Sequence, residues 1–72
     1  MKFVVMDRTG ESVLEYDMTV EKEAELAAKQ FNTFLSQGNQ IIGIMPTEEK
    51  FMSSQFEPEV VTYVIGKPLV GG

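Results

Sequence analysis

The chain of 72 residues contains no cysteine and no histidine. Without cysteine, neither a disulfide nor a thiolate metal site can stabilise the fold. Without histidine, the chain lacks the commonest general base and the commonest metal ligand. Packing of apolar side chains must therefore hold one small domain, and a hydrophobic fraction of 43% supplies the material for it.

Positive charge is also scarce, since six basic residues stand against eleven acidic ones and the net charge is −5. The basic residues are scattered, which argues against nucleic acid as a partner, because phosphate backbones require clustered lysine and arginine. No apolar run approaches the length of a membrane span, and the amino-terminal run is too short for a signal peptide. We therefore expect a cytoplasmic protein with neither nucleic-acid nor membrane partners.

A β-hairpin is predicted at the amino-terminal end. The β-branched run "KFVVM" predicts a strand from about Lys2 to Met6, and "SVLEY" predicts a second strand after the loop "DRTGE". Gly10 can adopt the positive φ that a tight reversal requires. Val13 then shares one face of the second strand with Glu15, and we expect this strand near the edge of the sheet.

A helix follows, with the Thr19 hydroxyl as its predicted cap and Gly38 as the residue that ends it. Apolar residues recur at spacings of three and four, which predicts one stripe facing the core. The stripe contains Val20, Ala24, Ala27, Phe31, Phe34 and Leu35.

Two further strands are predicted. The run "QIIGIM" is typical of a short buried strand, and "EVVTYVIG" is apolar on both faces, which favours a central strand. In that last strand Val61, Tyr63 and Ile65 are expected on one face. The intervening stretch, Thr47 to Glu57, has no clean period and predicts irregular chain, with Phe51 and Phe56 packed against the core. Met45 and Met52 are candidate gap-fillers.

The predicted order is strand, strand, helix, strand, strand. It indicates an α+β fold with a single domain over 1–72, in which one helix packs on a mixed four-stranded sheet. This ββαββ arrangement is that of a β-grasp. Residues 66–72, from Gly66 to Gly72, are expected to form a carboxyl-terminal tail.

Catalytic, cofactor and metal sites are not expected in this chain, and we interpret it as a non-enzyme. Ser53 and Ser54 lie near Lys50, but nothing else marks an oxyanion site, so a polar loop is favoured. Acidic pairs are frequent, yet they lack the spacing of a calcium loop and favour a solvated acidic face. These pairs are Glu48 with Glu49, Glu57 with Glu59, and Asp7 with Glu11.

The opening "MKFVVMDRTGESVLEY", with Thr9-Gly10 at the turn, is similar to the first hairpin of ubiquitin-like proteins. The order of elements and the closing Leu69-Val70-Gly71-Gly72 extend the resemblance over nearly the whole chain. The segment between the third and last strands is shorter than in ubiquitin, which predicts that a short strand is lost there.

The resemblance implies a ubiquitin-like modifier or a sulfur carrier. An adenylating enzyme would activate the carboxylate of Gly72 with ATP, and the acyl group would pass to a cysteine and then to an amine, or become a thiocarboxylate. Gly71 and Gly72 would fit a narrow channel because they carry no Cβ, and Leu69 and Val70 would be gripped beside them. Ile42 or Ile44 with Val70 would form the analogue of ubiquitin's apolar contact patch.

A second hypothesis stays open. Small acidic domains also act by non-covalent binding, as interaction or structural proteins. Accessory or assembly components of phages and mobile elements belong to this class, and the partner is then another copy or an assembly protein.

Overall fold

A computed structural model describes residues 1–7 and 10–67 of the chain. Five strands and one helix lie in this part. In chain order they are β1 (Lys2–Asp7), β2 (Gly10–Glu15), α1 (Glu21–Ser36), β3 (Gln40–Ile44), β4 (Lys50–Met52) and β5 (Thr62–Gly66).

The strands form a single mixed sheet in the order β2-β1-β5-β3-β4. β1 and β5 run parallel, whereas β1 with β2, β3 with β5, and β3 with β4 pair antiparallel. The prediction of a central last strand is confirmed, because β5 lies between β1 and β3. The prediction that the second strand lies at the edge is confirmed as well.

The predicted number of four strands is wrong, because β4 lies in the stretch that was expected to be irregular. A tight turn leads into it: the Glu48 amide donates to the Met45 carbonyl at 2.8 Å, and the Met45 amide donates to the Glu49 carbonyl at 2.9 Å. Glu48 adopts a φ of +71°, a conformation usually marked by glycine or asparagine. A three-residue strand has no detectable period, and the turn carries no glycine, so the sequence signals of this hairpin are missing.

The predicted start of the helix also needs correction. Thr19 does not cap α1, because its amide and its hydroxyl both donate to the Asp17 carboxylate. The first residue before the helix is Val20, which makes no side-chain capping bond. Instead, the Glu23 carboxylate reaches back and accepts the Asp17 amide at 3.0 Å. The Asp17 carboxylate thus accepts the hydrogen bond of the hydroxyl that was predicted to cap the helix.

The end of the helix is as predicted. Gly38 has a φ of +83°, and its amide donates to the Leu35 carbonyl at 3.1 Å. The following amide, that of Asn39, donates to the Phe34 carbonyl. These bonds satisfy carbonyls of the last turn that have no partner within the helix, and glycine reaches the required conformation without steric cost.

The core lies between α1 and one face of the sheet. Its centre is an aromatic cluster in which the Tyr63 ring lies 4.9 Å from that of Phe31 and 5.7 Å from that of Phe3, centroid to centroid. Phe51 and Phe56 pack against this core, as expected. The fully enclosed apolar residues are Phe3, Ala27, Phe31, Ile41, Val60, Tyr63 and Ile65.

Three apolar residues expected inside are exposed. Val61 is 43% exposed and precedes β5, which begins only at Thr62. The Val60 amide donates to the Glu57 carbonyl at 3.2 Å, so the chain before Val61 is a turn. Val61 is the first residue that bonds to the neighbouring strands, since its amide donates to the Ile44 carbonyl and its carbonyl accepts the Lys2 amide. Val20 is exposed because it precedes the first helical turn, and Met52 lies on the face of β4 that points away from α1.

Candidate functional site: the open face of the sheet

The sheet has one face covered by α1 and one open face, and the register decides which residues lie on each. Phe3 pairs with Tyr63, and both are enclosed under the helix. Because side chains alternate along a strand, the residues next to them in the chain point to the other face. α1 is the one helix of residues 1–7 and 10–67, so within that part nothing helical covers the second face.

One row of side chains crosses the open face and includes one residue of each strand. Val4 of β1 pairs with Val13 of β2 and with Val64 of β5. Ile42 of β3 pairs with that same Val64 and with Met52 of β4. We call Val13, Val4, Val64, Ile42 and Met52 the open-face row, and every member is apolar.

The row is accessible along its whole length. Its two ends, Val13 and Met52, are 49% and 62% exposed. Val4, Val64 and Ile42 are half-buried, since each has a neighbour of the row on both sides. With strands about 4.8 Å apart, five positions span about 19 Å. An apolar strip of this length is a feature that commonly marks a contact surface.

Polar and charged side chains border the row. Two residues along each strand, on the same face, the next row reads Glu15, Lys2, Thr62, Ile44 and Lys50 across the five strands. On the other side Met6, which is 48% exposed, pairs with Glu11. The surface therefore has an apolar centre and a rim with charges of both signs, an organisation found in protein interfaces.

At one end of the row, a hydrogen bond holds the Met52 side chain. The Gln40 side-chain amide donates to the Met52 sulfur at 3.3 Å. Gln40 pairs in turn with Gly66, the last residue of β5. Gly66 follows Val64 by two residues on the same face, which corresponds to about 7 Å along the strand. The chain thus leaves the sheet directly beside the open-face row.

The sequence-predicted site residues have different outcomes. Leu69, Val70, Gly71 and Gly72 lie outside the described residues, as does Thr9 of the predicted turn. Ile42 lies in the open-face row and Ile44 in the row beside it, so the described half of the predicted contact patch is on this face.

Sequence reasoning missed Val4, Val13 and Val64 as surface residues. The apolar residues on both faces of the last strand predict that both of its faces are buried. The signal that could have found them is a count of layers: a single helix can cover one face of a sheet, so strands apolar on both faces must leave one apolar face open.

The polar residues considered as catalytic or metal-binding candidates show no such arrangement among the described residues. Ser53 is only 7% exposed, and its hydroxyl donates to the Gln55 carbonyl at 2.9 Å, so it supports the loop after β4. Residues 1–7 and 10–67 contain no group of three or more acidic side chains arranged to hold a metal ion. The exposed Asp17 carboxyl has a lowered pKa, because it accepts hydrogen bonds from the hydroxyl and then the amide of Thr19. That contact belongs to the loop before α1.

Comparison of the chain with protein-family models, with curated proteins and with solved structures gives no match. Within the described ranges, no helix combines the length and the apolar character that crossing a membrane requires.

Proposed function

We propose that this protein is a non-enzymatic, ubiquitin-like β-grasp domain that acts by being bound by another protein through the open-face row. The observation that carries the proposal is the row itself: five apolar side chains, one on each strand, with an accessible surface and a charged rim. Association through such a surface is driven by removal of apolar area from water.

The order of elements supports the β-grasp assignment. A hairpin is followed by a helix across one face, and the last strand returns to the middle of the sheet beside and parallel to the first. The sequence predicted one helix on a mixed sheet of four strands, and the structure has a fifth strand, β4, at the far edge.

The occupant that fits the row best is a folded partner with an apolar patch surrounded by polar groups of both signs. Lys2 and Lys50 lie on the rim together with Glu11 and Glu15, so a partner of uniform charge would meet repulsion on one part of the rim. The cytoplasm is the compartment that we propose for this encounter.

The test uses charge introduction at the two exposed ends of the row. The variant Val13→Lys/Met52→Lys should retain the fold, because both side chains are about half exposed or more. Its matched control is Leu26→Lys, which makes the same type of change on the outer face of α1 at a residue that is 54% exposed. Proteins retained from the source lysate by wild type and by the control, but lost by the row variant, are the candidates to be purified.

Binding of the purified partner then decides. We expect the row variant to raise the dissociation constant by at least about tenfold, since apolar anchors at an interface centre typically contribute more than 1 kcal/mol each. NMR perturbations on wild type should centre on the amides of Val4, Val64 and Ile42. The proposal is wrong if no partner distinguishes the row variant from the Leu26→Lys control, or if perturbations centre on α1.

A second candidate function is activation of the Gly72 carboxylate, as in modifiers and sulfur carriers. The observation that favours it is the exit of the chain at Gly66, about 7 Å along β5 from Val64. An adenylating enzyme that holds the open face would therefore contact the protein close to the end of β5. In this version the activating enzyme is the protein partner.

This candidate has its own test. The intact mass of the protein isolated from its source first establishes whether the chain ends at Gly72 there. Wild type and a Gly72 deletion are then incubated with ATP and source lysate and analysed by mass spectrometry. A thiocarboxylate or isopeptide adduct that depends on Gly72 supports the candidate, and absence of any such dependence refutes it without affecting the open-face proposal.

A further inference from the structure

The outer edge of β2 is a second surface with unused binding capacity. β2 stands at one end of the sheet, and among the described residues it pairs with β1 alone. All six of its residues, Gly10–Glu15, are exposed. An edge of this length presents backbone donors and acceptors that another extended chain can use.

The hydrogen-bond alternation identifies the outward backbone groups. Met1 and Tyr16 exchange two bonds, with the Tyr16 amide donating to the Met1 carbonyl at 2.8 Å and the Met1 amine donating to the Tyr16 carbonyl at 3.1 Å. In an antiparallel pair, bonded and non-bonded positions alternate. The amides and carbonyls of Glu11, Val13 and Glu15 therefore point away from β1.

The backbone of β1 confirms independently which residues of β2 are not bonded to it. The Lys2 amide donates to the Val61 carbonyl at 3.0 Å, so Lys2 directs its backbone toward β5 and not toward β2. Lys2 pairs with Glu15 in the register of the hairpin, which places Glu15 at a position not bonded to β1.

The side chains of the same three residues define a chemical pattern. Glu11, Val13 and Glu15 share the open face, so two carboxylates flank one apolar side chain along the edge. Ser12 and Leu14 point to the helix side, where Leu14 is 37% exposed. A strand added here would place every second side chain opposite this acidic–apolar–acidic pattern.

We propose that the β2 edge binds an extended segment of another protein by strand addition, and that this segment carries lysine or arginine opposite Glu11 and Glu15 and an apolar residue opposite Val13. Backbone bonds to the three outward residues provide the attachment, and opposite charges across the new strand pair select the sequence. This inference goes beyond the open-face proposal because it uses the backbone of the edge. Val13 belongs to the open-face row as well, and Glu11 and Glu15 lie on the rim of that row.

A second copy of the chain is a poor occupant of the same edge. Symmetric antiparallel pairing centred on Val13 would place Glu11 of each copy opposite Glu15 of the other, so two pairs of like charges would face each other. Such pairs destabilise a strand pair, and the net charge of −5 adds repulsion between copies. The edge is therefore complementary to a basic segment and unfavourable to itself.

The two carboxylates are not equivalent. Glu15 has Lys2 as its cross-strand neighbour, whereas Glu11 has Met6. Since Lys2 already lies beside Glu15, a basic residue of the added strand has less unbalanced charge to meet there. Reversal of charge at Glu11 should consequently weaken binding more than reversal at Glu15.

The experiment titrates ¹⁵N-labelled full-length protein with a capped pentapeptide of sequence lysine-threonine-valine-threonine-lysine. Hydrogen exchange of the Glu11, Val13 and Glu15 amides should slow, while the amides of Ser12 and Leu14, already bonded to β1, should change little. A control peptide with glutamate in place of both lysines should bind about tenfold more weakly. Equal binding of the two peptides overturns the proposal.

Two variants separate the edge from the open face. Val13→Pro removes an outward amide and leaves the β1–β2 ladder intact, whereas the control Val13→Thr keeps that amide. Peptide binding should be lost in the first and retained in the second. If Val13→Pro does not fold, Glu11→Lys/Glu15→Lys decides: it should reverse the preference toward the acidic peptide. The control Glu25→Lys/Glu49→Lys has the same net charge and should not.

Three results would refute strand addition by a basic segment. The first is a charge-reversed protein with unchanged peptide preference. The second is perturbation confined to Val64, Ile42 and Met52, which would assign the peptide to the open face. The third is protection of the Glu11, Val13 and Glu15 amides that rises with protein concentration in the absence of peptide, which would identify a second copy as the occupant.

Discussion

Tyr63 joins the core of the sheet to the loop before β5, and its replacement by phenylalanine tests how that loop is held. The ring is enclosed by Phe3, Phe31 and Phe56. Its hydroxyl accepts the Glu57 amide at 2.8 Å and donates to the Glu57 carbonyl at 3.3 Å. Tyr63→Phe retains the aromatic packing and removes both bonds, so the measured change reports the hydroxyl alone.

The magnitude follows from these two contacts. A hydrogen bond contributes about 1 kcal/mol net, and a donor left without a partner can cost more. The 2.8 Å bond has the shorter geometry, and Glu57 is half-buried, so water can replace the lost partner in part. We expect Tyr63→Phe to lower the free energy of unfolding by about 1–2 kcal/mol, and the midpoint temperature by about 4–8 °C for each kcal/mol.

Urea unfolding followed by circular dichroism measures the change at neutral pH. The control Tyr16→Phe alters the other tyrosine, whose ring lies 5.5 Å from that of Phe3. A loss below about 0.5 kcal/mol in Tyr63→Phe, with unchanged dependence on urea concentration, would show that the hydroxyl does not hold the loop.

The pH dependence gives a second readout of the same group. Burial raises the pKa of the Tyr63 phenol above its ordinary value of 10.0, although its hydrogen bond with the Glu57 backbone opposes the shift. Above pH 10 the unfolded phenol loses its proton first, so the free energy of unfolding falls until the folded phenol also ionises. Tyr63→Phe should lack this alkaline loss and Tyr16→Phe should retain it. Identical alkaline slopes in all three proteins would contradict the assignment.

Two further substitutions test the β3–β4 hairpin. A Cβ at Gly43 would lie 2.8 Å from the Phe51 ring, so Gly43→Ala should lower the free energy of unfolding in urea by about 1–3 kcal/mol. The loss should be smaller in a Phe51→Leu background, and equal losses in both backgrounds would show that Phe51 is not the obstacle. Glu48→Gly should stabilise the protein by about 0.5–1 kcal/mol, because glycine adopts the φ of +71° without strain. The control Glu49→Gly should destabilise the protein. A loss of stability in Glu48→Gly would mean that the turn is not strained.

Much of the fold could be predicted because its signals are local. Gly38 ends α1 through a conformation that glycine favours, and the apolar spacing of Ala27 and Phe31 identified the buried side of the helix. The run from Thr62 to Gly66 is apolar enough on both faces to predict a central strand. Each of these signals depends on a residue's own backbone preference or on the period of its neighbours.

The missed features depend on partners distant in the chain or on competition between neighbours. β4 exists because Phe51 pairs with Gly43 and covers the space that a side chain there would fill. Thr19 has a good capping side chain, but Asp17 is within reach and accepts its hydroxyl first. Neither outcome follows from propensity, since in each case the geometry of a second residue decides between two allowed arrangements.

The candidate site divides in the same way. By itself the sequence determined that the chain has apolar strands, an acidic surface and one amphipathic helix, because composition and periodicity are properties of the chain alone. Only the tertiary structure decided which apolar residues of the strands form the core and which form a surface. The register aligns Val4, Val64 and Ile42 across three strands, and α1 covers the opposite face. One helix cannot cover both sides of a sheet, so the apolar side chains on one face of the strands contribute to the core and those on the other face include the open-face row.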